Sequence, residues 1–171
     1  TTQLETLVPY YEEIIEPDIN AYCDQLGNDV RFKFLIEDAQ GQAAIHLEKV
    51  QSFKAMDVNL IIGGRWSSHA YTSLPYINDN NMLLFSPTST SPILAIPGDN
   101  LFRMCPHDMK QAPAIAEMLW SWGIEAVIVM QREDVWADGI YNALGPEFEA
   151  RGGVILDRVR YAGEATEFAS Y

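Results

Sequence analysis

The sequence is poor in cysteine and histidine, and these shortages exclude several kinds of site. Its two cysteines, Cys23 and Cys105, are too few for a disulfide scaffold and lack a metal-binding spacing, so we expect two separate buried thiols. The three histidines, His46, His69 and His107, stand far apart along the chain and share no helix face, which argues against a zinc site. The sequence therefore predicts neither a metal nor another cofactor.

Basic residues and long apolar runs are also scarce. Eleven Lys and Arg face 24 Asp and Glu, which gives a net charge of -13 and a pI near 4.4. Nucleic-acid binding depends on neutralising phosphates, so we expect no nucleic-acid partner. No apolar run approaches the roughly 20 residues that span a bilayer. The sequence opens Thr-Thr-Gln-Leu-Glu without the features of an export signal, so the protein is either not exported or its signal has been removed.

What is present is a globular composition with a regular alternation of helix and strand patterns. The 171 residues are 48% hydrophobic and 20% charged, enough for a substantial core in one large domain or two smaller ones. Helices are predicted over 2–26 and from Ala43, Ser67, Asp108 and Asp134, with another beginning near 166–168; strands are predicted over 31–36, 60–63, 82–85, 126–130 and 154–161. This alternation favours an α/β fold, a parallel sheet with helices on both faces. The looser stretch from Ile93 to Cys105 is interpreted as a crossover to a second unit.

Hydroxyl side chains follow two of the predicted strands. Ser67 and Ser68 come after Gly63-Gly64, and the run from Thr88 to Ser91 follows the strand 82–85. Ligands in open parallel sheets bind beyond the carboxyl ends of the strands. Hydroxyls and the amino end of a helix could hold a carboxylate without a basic residue. The alternative is that these residues only cap and turn the chain, and chemistry alone favours that alternative.

Several short motifs, taken in order, resemble one protein family. They are Gly63-Gly64-x-x-Ser67-Ser68, Phe85-Ser86-Pro87-Thr88-Ser89-Thr90-Ser91-Pro92, Phe102-Arg103-x-Cys105-Pro106-x-Asp108 and Trp136-x-Asp138-Gly139. Their order and spacing resemble the type I periplasmic binding proteins, specifically the leucine/isoleucine/valine-binding subclass that serves ABC transporters. The resemblance covers nearly the whole chain.

The resemblance implies a function and a set of ligand-binding residues. Members have two lobes, capture amino acids or similar solutes in the cleft between them, and perform no chemistry. By position, Ser67, beside Ser68, corresponds to the serine that binds the ligand carboxylate, and Thr90 to the threonine that contacts both carboxylate and amino group. Thr88 and Ser89 occupy the turn whose backbone completes the lobe 1 site, and Trp136 stands where the family often has a cleft-lining tyrosine.

The resemblance also implies that parts of both lobes lie outside this sequence. Residues 1–104 would form most of lobe 1 without its first strand, and residues 105–171 the beginning of lobe 2. The family's first strand is central, so its absence predicts unpaired strand edges that another chain or a larger molecule fills. The location implied is extracytoplasmic, with the export signal outside this sequence, and the implied partners are a small solute and a membrane permease.

Three rival interpretations were weighed. An enzyme with Ser67 as nucleophile and His69 or His107 as base lacks the Gly-x-Ser-x-Gly elbow. A phosphoacceptor built on Glu37-Asp38 lacks the matching lysine after the strand 126–130. A ligand-sensing domain of the same fold, either a receptor ectodomain or an amide sensor, stays open. Arg65 answers a second ligand carboxylate or faces solvent, and the general exposure of arginine favours solvent.

Overall fold

Helices and parallel strands alternate along residues 2–171, the part of the chain that the computed structural model describes. The helices are α1 (Thr2–Tyr10), α2 (Glu16–Gln25), α3 (Ala43–Ala55), α4 (Ser67–Asp79), α5 (Gln111–Ser121) and α6 (Val135–Glu149). The strands are β1 (Leu60–Ile62), β2 (Leu83–Ser86), β3 (Leu101–Arg103), β4 (Ala126–Arg132) and β5 (Val154–Tyr161). The α/β prediction is confirmed, and every strand pair is parallel.

The strands form two separate sheets, and each sheet has its own core. The first has the order β1-β2-β3 and the second pairs β4 with β5. Around the first sheet, Ile61, Leu84 and Leu101 pack against buried side chains of α3 and α4. Beside the second, Phe148 of α6 packs against Ala112 and Ala116 of α5. The two clusters share no residue, so the chain is stabilised by two cores.

The prediction of a strand over 31–36 is wrong. Residues 31–36 pair with no strand in the described chain and are tied to the preceding helix. The Phe34 N–H donates to Glu16 Oε2 at 2.8 Å, and Asn20 exchanges two hydrogen bonds with the Phe32 backbone. An alternating pattern shows only that a segment suits a sheet, while a strand also needs a neighbour that supplies the ladder hydrogen bonds.

A strand was missed where the sequence suggested only a crossover. Leu101–Arg103 forms β3, with Leu101 beside Leu84 and Phe102 beside Phe85 of β2. The strand is three residues long, too short to show a period. In the opposite sense, residues 166–168 form no helix.

The predicted helix over 2–26 is interrupted in the middle. Tyr11–Ile15 is a π-helical segment between α1 and α2, and the Glu16 N–H donates to the Tyr11 carbonyl, five residues earlier. Pro17 follows directly, and its ring would clash with the carbonyl four residues before it in a regular helix. The helix therefore accommodates this proline by a widened turn.

Candidate functional site

The carboxyl ends of β1 and β2 meet at the carbonyl of Gly64. This oxygen accepts hydrogen bonds from Ser86 Oγ, at 2.8 Å, and from Ser89 Oγ. Gly64 has a φ of +64°, and a Cβ there would lie 3.3 Å from the Cβ of Ala70. The left-handed backbone and the close helix both favour glycine. Gly64 is thus the point to which the hydroxyl-rich turn after β2 is attached.

The Thr88 and Ser89 side chains support this turn. The Thr88 hydroxyl donates to the Arg65 carbonyl at 2.6 Å, and the Ser89 N–H donates to Ser86 Oγ at 3.1 Å. Thr88 is exposed and Ser89 is buried. Both hydroxyls therefore donate to backbone carbonyls, and the turn offers its remaining backbone groups rather than these side chains.

Ser67 opens α4 directly beside the turn. Its side chain is buried, and Oγ accepts from the Ser91 N–H at 3.1 Å. A hydroxyl that accepts one bond still has its own proton to donate. The N–H groups of Ser67 and Ser68 have no acceptor inside the helix because they lie in its first turn. Ser68 is half-buried. Three uncommitted donors and the positive end of the helix dipole thus lie together.

Thr90 is joined to a carboxylate that the sequence suggested only as a helix cap. Its hydroxyl donates to Asp108 Oδ2 at 2.8 Å, and the Asp108 N–H donates to the Thr90 carbonyl at 2.9 Å. Asp108 is fully buried, and its other oxygen accepts from Gln111 Nε2 at 2.6 Å. The helix predicted from Asp108 begins at Gln111 instead, after a 3₁₀ turn over Asp108–Lys110. The Thr90 oxygen, as a donor to Asp108, keeps its lone pairs for a ligand cation.

Trp136 lies in the first turn of α6, close to the hydroxyl turn along the backbone. As predicted, Asp134 caps this helix, and its Oδ1 accepts from the N–H groups of Trp136 and Ala137 at 3.1 and 2.9 Å. The carbonyl of Val135 accepts from Ser91 Oγ at 2.7 Å. The indole of Trp136 is 40% exposed. The structure therefore brings the start of α6 to the turn while the indole itself faces partly into solvent.

A second contact joins the two sheets through Arg132, the last residue of β4. Its guanidinium lies 4.4 Å from the ring centroid of Trp66, within the range of a cation–π contact. It also pairs with Asp134. Trp66 also contacts His69, whose ring centroid is 5.2 Å away. Trp66 thus lies between His69 of α4, which packs on the first sheet, and Arg132 of the second sheet.

His46 and His69, remote in sequence, stack on each other beside Gly64 with ring centroids 5.2 Å apart. Burial, together with the charge that His69 would carry, lowers the pKa of His46 to about 4. Burial also lowers the pKa of His69, and the positive charge of nearby Arg132 lowers it further. Both rings are therefore neutral at pH 7. Within residues 2–171 no cluster of three or more His, Cys, Asp or Glu residues is suited to a metal.

The two cysteines and the two arginines, Arg65 and Arg103, differ in their exposure and their contacts. Cys23 is buried as predicted, whereas Cys105 is only half-buried, with Sγ 3.6 Å from the Ser89 carbonyl, and both are free. Arg65 is exposed. Arg103, which the sequence did not single out for a role, donates to the carbonyls of Ser89 and Ser91 at 3.2 and 2.9 Å. A buried turn that uses carbonyls as anchors needs such a donor.

A groove of about 760 Å³ runs along the free edge of β1, on the side away from β2. Its walls include Leu4 and Leu7 of α1, Val50 and Phe53 of α3, and Ile62 of β1. The groove is continuous with Gly64 and Trp66 but does not include the Thr88–Ser91 turn. It is therefore distinct from the hydroxyl cluster.

Comparison with known proteins now decides the family. Residues 17–170 match the family described as the receptor family ligand binding region. The chain belongs to this family. An uncharacterized protein of Methanocaldococcus jannaschii is 32% identical over 155 residues, which cover 87% of this chain and 37% of the relative. Within residues 2–171 we find no helix of the length and apolarity needed to cross a membrane.

Solved structures give the same fold for this ligand binding region. A leucine binding protein from Thermotoga maritima is 22% identical with a TM-score of 0.74, over 89% of this chain and 45% of that one. An ABC transporter substrate-binding protein from Desulfitobacterium hafniense, in complex with Leu, is 26% identical with a TM-score of 0.59, over 84% and 44%. The chain thus spans about two-fifths of its relatives' length. The type I periplasmic-binding-protein resemblance is confirmed, and the matched family is one of ligand binding regions rather than enzymes.

Proposed function

We propose that the protein is an extracytoplasmic receptor that captures an amino acid or similar carboxylate-bearing solute for an ABC transporter. Residues 1–104 would belong to one lobe and 105–171 to the other, with the cleft closing on the ligand. The observation that carries the proposal is Ser67, whose hydroxyl proton is uncommitted at the start of α4, beside the Thr88–Ser91 turn.

The chemistry of the cluster suits a zwitterion. A carboxylate needs donors, and it would take the Ser67 hydroxyl, the free N–H groups of Ser67 and Ser68, and the helix dipole. An ammonium needs acceptors, and it would take the Thr90 hydroxyl oxygen, whose polarity is reinforced by its bond to the buried Asp108. Thr88 and Ser89 would supply backbone groups, and Trp136 would line the cleft from the second lobe.

The names of two solved neighbours favour an amino acid as the ligand. One is called a leucine binding protein and the other was solved with Leu. Because this chain covers less than half of either neighbour, the ligand's side-chain class is left to experiment. The full-length protein should be heated with a panel of amino acids, amides, urea and small carboxylates, since a ligand raises the apparent stability of the state it binds. No shift with any compound, from a folded sample, would contradict the proposal.

Ser67→Ala should weaken binding of the carboxylate ligand by about 1–3 kcal/mol, because a buried charged acceptor loses a donor. Ser121→Ala is a matched control, since Ser121 lies on α5 and its hydroxyl donates only within that helix, to the Met118 carbonyl at 2.9 Å. Calorimetric titration of the full-length variants measures both. Equal affinity in wild type and Ser67→Ala would remove Ser67 from the site.

Transport and sensing are separated by the partner. If the protein serves a transporter, deletion of its gene should abolish uptake of the ligand found in the panel, and the ligand-loaded protein should stimulate ATP hydrolysis by the permease complex in vesicles. Normal uptake in the deletion strain, with loss of a response to the ligand, would instead establish the ligand-sensing domain as the function.

We also propose that an extended strand pairs with the free edge of β1. Leu83 donates to the Asn59 carbonyl and Gly63 to the Phe85 carbonyl, at 2.8 and 2.9 Å, so alternate residues face β2 and the N–H and C=O groups of Leu60 and Ile62 face the groove. Such edges recruit strands, and Ile62 is 70% exposed. In the full-length protein, slow hydrogen exchange at the Leu60 and Ile62 amides is expected. Exchange at the rate of an exposed loop would rule the pairing out.

A further inference from the structure

The buried ring of His46 connects α3 to the residue that anchors the hydroxyl turn. His46 Nε2 accepts from the Gly64 N–H at 3.0 Å, and Nδ1 lies 2.7 Å from Ser73 Oγ on α4. The ring is 7% exposed. None of the proposed ligand contacts involves this side chain.

The hydrogen bonds fix the state of the ring. An atom that accepts from a backbone N–H carries a lone pair and no proton, so the proton of the neutral ring lies on Nδ1 and is donated to Ser73 Oγ. A protonated ring would present N–H groups at both nitrogens and set two donors against each other at Gly64. The bond to Gly64 therefore exists only while His46 is neutral.

Gly64 passes this constraint to the site. Its N–H is held by His46, while its carbonyl accepts from Ser86 and Ser89 at the base of the turn. Gly64, which has a left-handed φ of +64°, has no side chain through which packing could hold it in place. We propose that His46 is a positioning residue, which orients Gly64 and through it the turn that receives the ligand. This inference rests on the proposed function.

Packing alone does not account for a histidine here. An apolar side chain of similar size would fill the space but leave the buried Gly64 N–H without an acceptor. The preceding residue makes room for the ring, since a Cβ on Gly63 would lie 3.2 Å from His46 Nε2. The position thus requires an acceptor at one end, a donor at the other and a flat shape between them.

Burial is the main cause of the neutral state of the ring, and the charge that His69 would carry adds to it. His69 of α4 stacks on it, and Arg132 of β4 acts on His69. On α3 the nearest cation is Lys49, three residues on, which pairs with Glu37 at 3.0 Å. Asp38 lines the same groove. His46 consequently works as an acceptor throughout the neutral range.

The test compares three variants in the full-length protein with the ligand found in the panel. His46→Leu should lower affinity about tenfold, the result of one lost buried hydrogen bond. His46→Gln restores an acceptor and should recover most of the affinity, and it should also remove the loss of binding that we expect for the wild type below pH 5. Val50→Ala removes packing from the same helix and should leave the affinity of the folded protein unchanged. Equal affinity in wild type and His46→Leu, or a loss as large in Val50→Ala, would overturn the inference.

A second readout needs no ligand, so failure of the proposed function is recognised separately. In the wild type, ¹⁵N spectra should show the proton on Nδ1, and the Gly64 and Ser89 amide signals should shift together as His46 titrates. His46→Gln should abolish that shift. If the panel yields no ligand but the coupled shift is seen, the positioning role stands and the solute-binding function fails. If the Ser89 amide signal does not change as His46 titrates, the positioning role fails, whether or not a ligand is found.

Discussion

Truncation of Phe148 to alanine is expected to lower the free energy of unfolding by about 3–5 kcal/mol, the usual cost of a cavity in place of a buried aromatic ring. Phe148 is fully buried and is the largest side chain of the second core, where it contacts the small residues Ala112 and Ala116. The Phe148 ring also leaves no room for a side chain at position 153, because a Cβ on Gly153 would lie 2.6 Å from it.

Urea denaturation of the full-length protein measures the loss, and Phe148→Leu is the matched control. Leucine keeps most of the apolar contact and should cost clearly less than alanine. The two cores share no residue, so hydrogen exchange should speed up in β4, β5 and α6 before it does in β1 and β2. Uniform acceleration through both sheets, or a loss below 1 kcal/mol, would contradict the assignment of Phe148 as the centre of a separate core.

Acidification from pH 7 to 4 is expected to remove about 3 kcal/mol of stability through His46 alone. Its folded pKa is lowered to about 4 from 6.5, chiefly by burial. Between these two values the unfolded chain binds a proton that the folded chain does not, so the free energy of unfolding falls as the pH falls. Well above pH 6.5 the residue adds no slope, because it is neutral in both states.

The contribution of His46 is isolated by difference, since the 24 carboxylates also titrate in this range. Denaturation of wild type and His46→Gln at several pH values gives two curves, and the gap between them is expected to change by about 3 kcal/mol from pH 7 to 4. Parallel curves would show that His46 has an ordinary pKa and therefore lacks the buried acceptor role.

The sequence predicted the elements whose signals are local. β2 and β4 are built on apolar runs, and α6 begins at a capping Asp134, so both their type and their place were predictable. The segment 31–36 was mispredicted because its alternation carries no information about whether a neighbouring strand is present. β3 was missed because three residues are too few to show a period. Both of these errors concern pairing between strands, which depends on residues distant in sequence.

The position of the candidate site was predictable from the sequence, but the hydrogen-bond partners of its side chains were not. Pro87 and the serines and threonines around it indicate a turn after β2, and the resemblance marks Ser67 and Thr90. The partners of these hydroxyls, namely the carbonyls of Gly64 and Arg65 and the carboxylate of Asp108, come from other segments. His46 gave no signal at all, because its role exists only once Gly64 lies 3.0 Å away. The assignment of Ser67, Ser68, Thr88, Ser89, Thr90 and Trp136 to ligand binding stays a prediction.

The contact between Trp66 and Arg132 makes the fluorescence of Trp66 sensitive to the distance between the two sheets. The indole belongs to the first sheet's body and the guanidinium, 4.4 Å from its ring, to the second. In the two-lobed receptor proposed above, a rotation that opens the cleft would separate the charge from the ring and change the electric field at the indole. The emission of Trp66 would then record opening and closing without an attached dye, and a protein that keeps only this one of its four tryptophans would report the motion in real time.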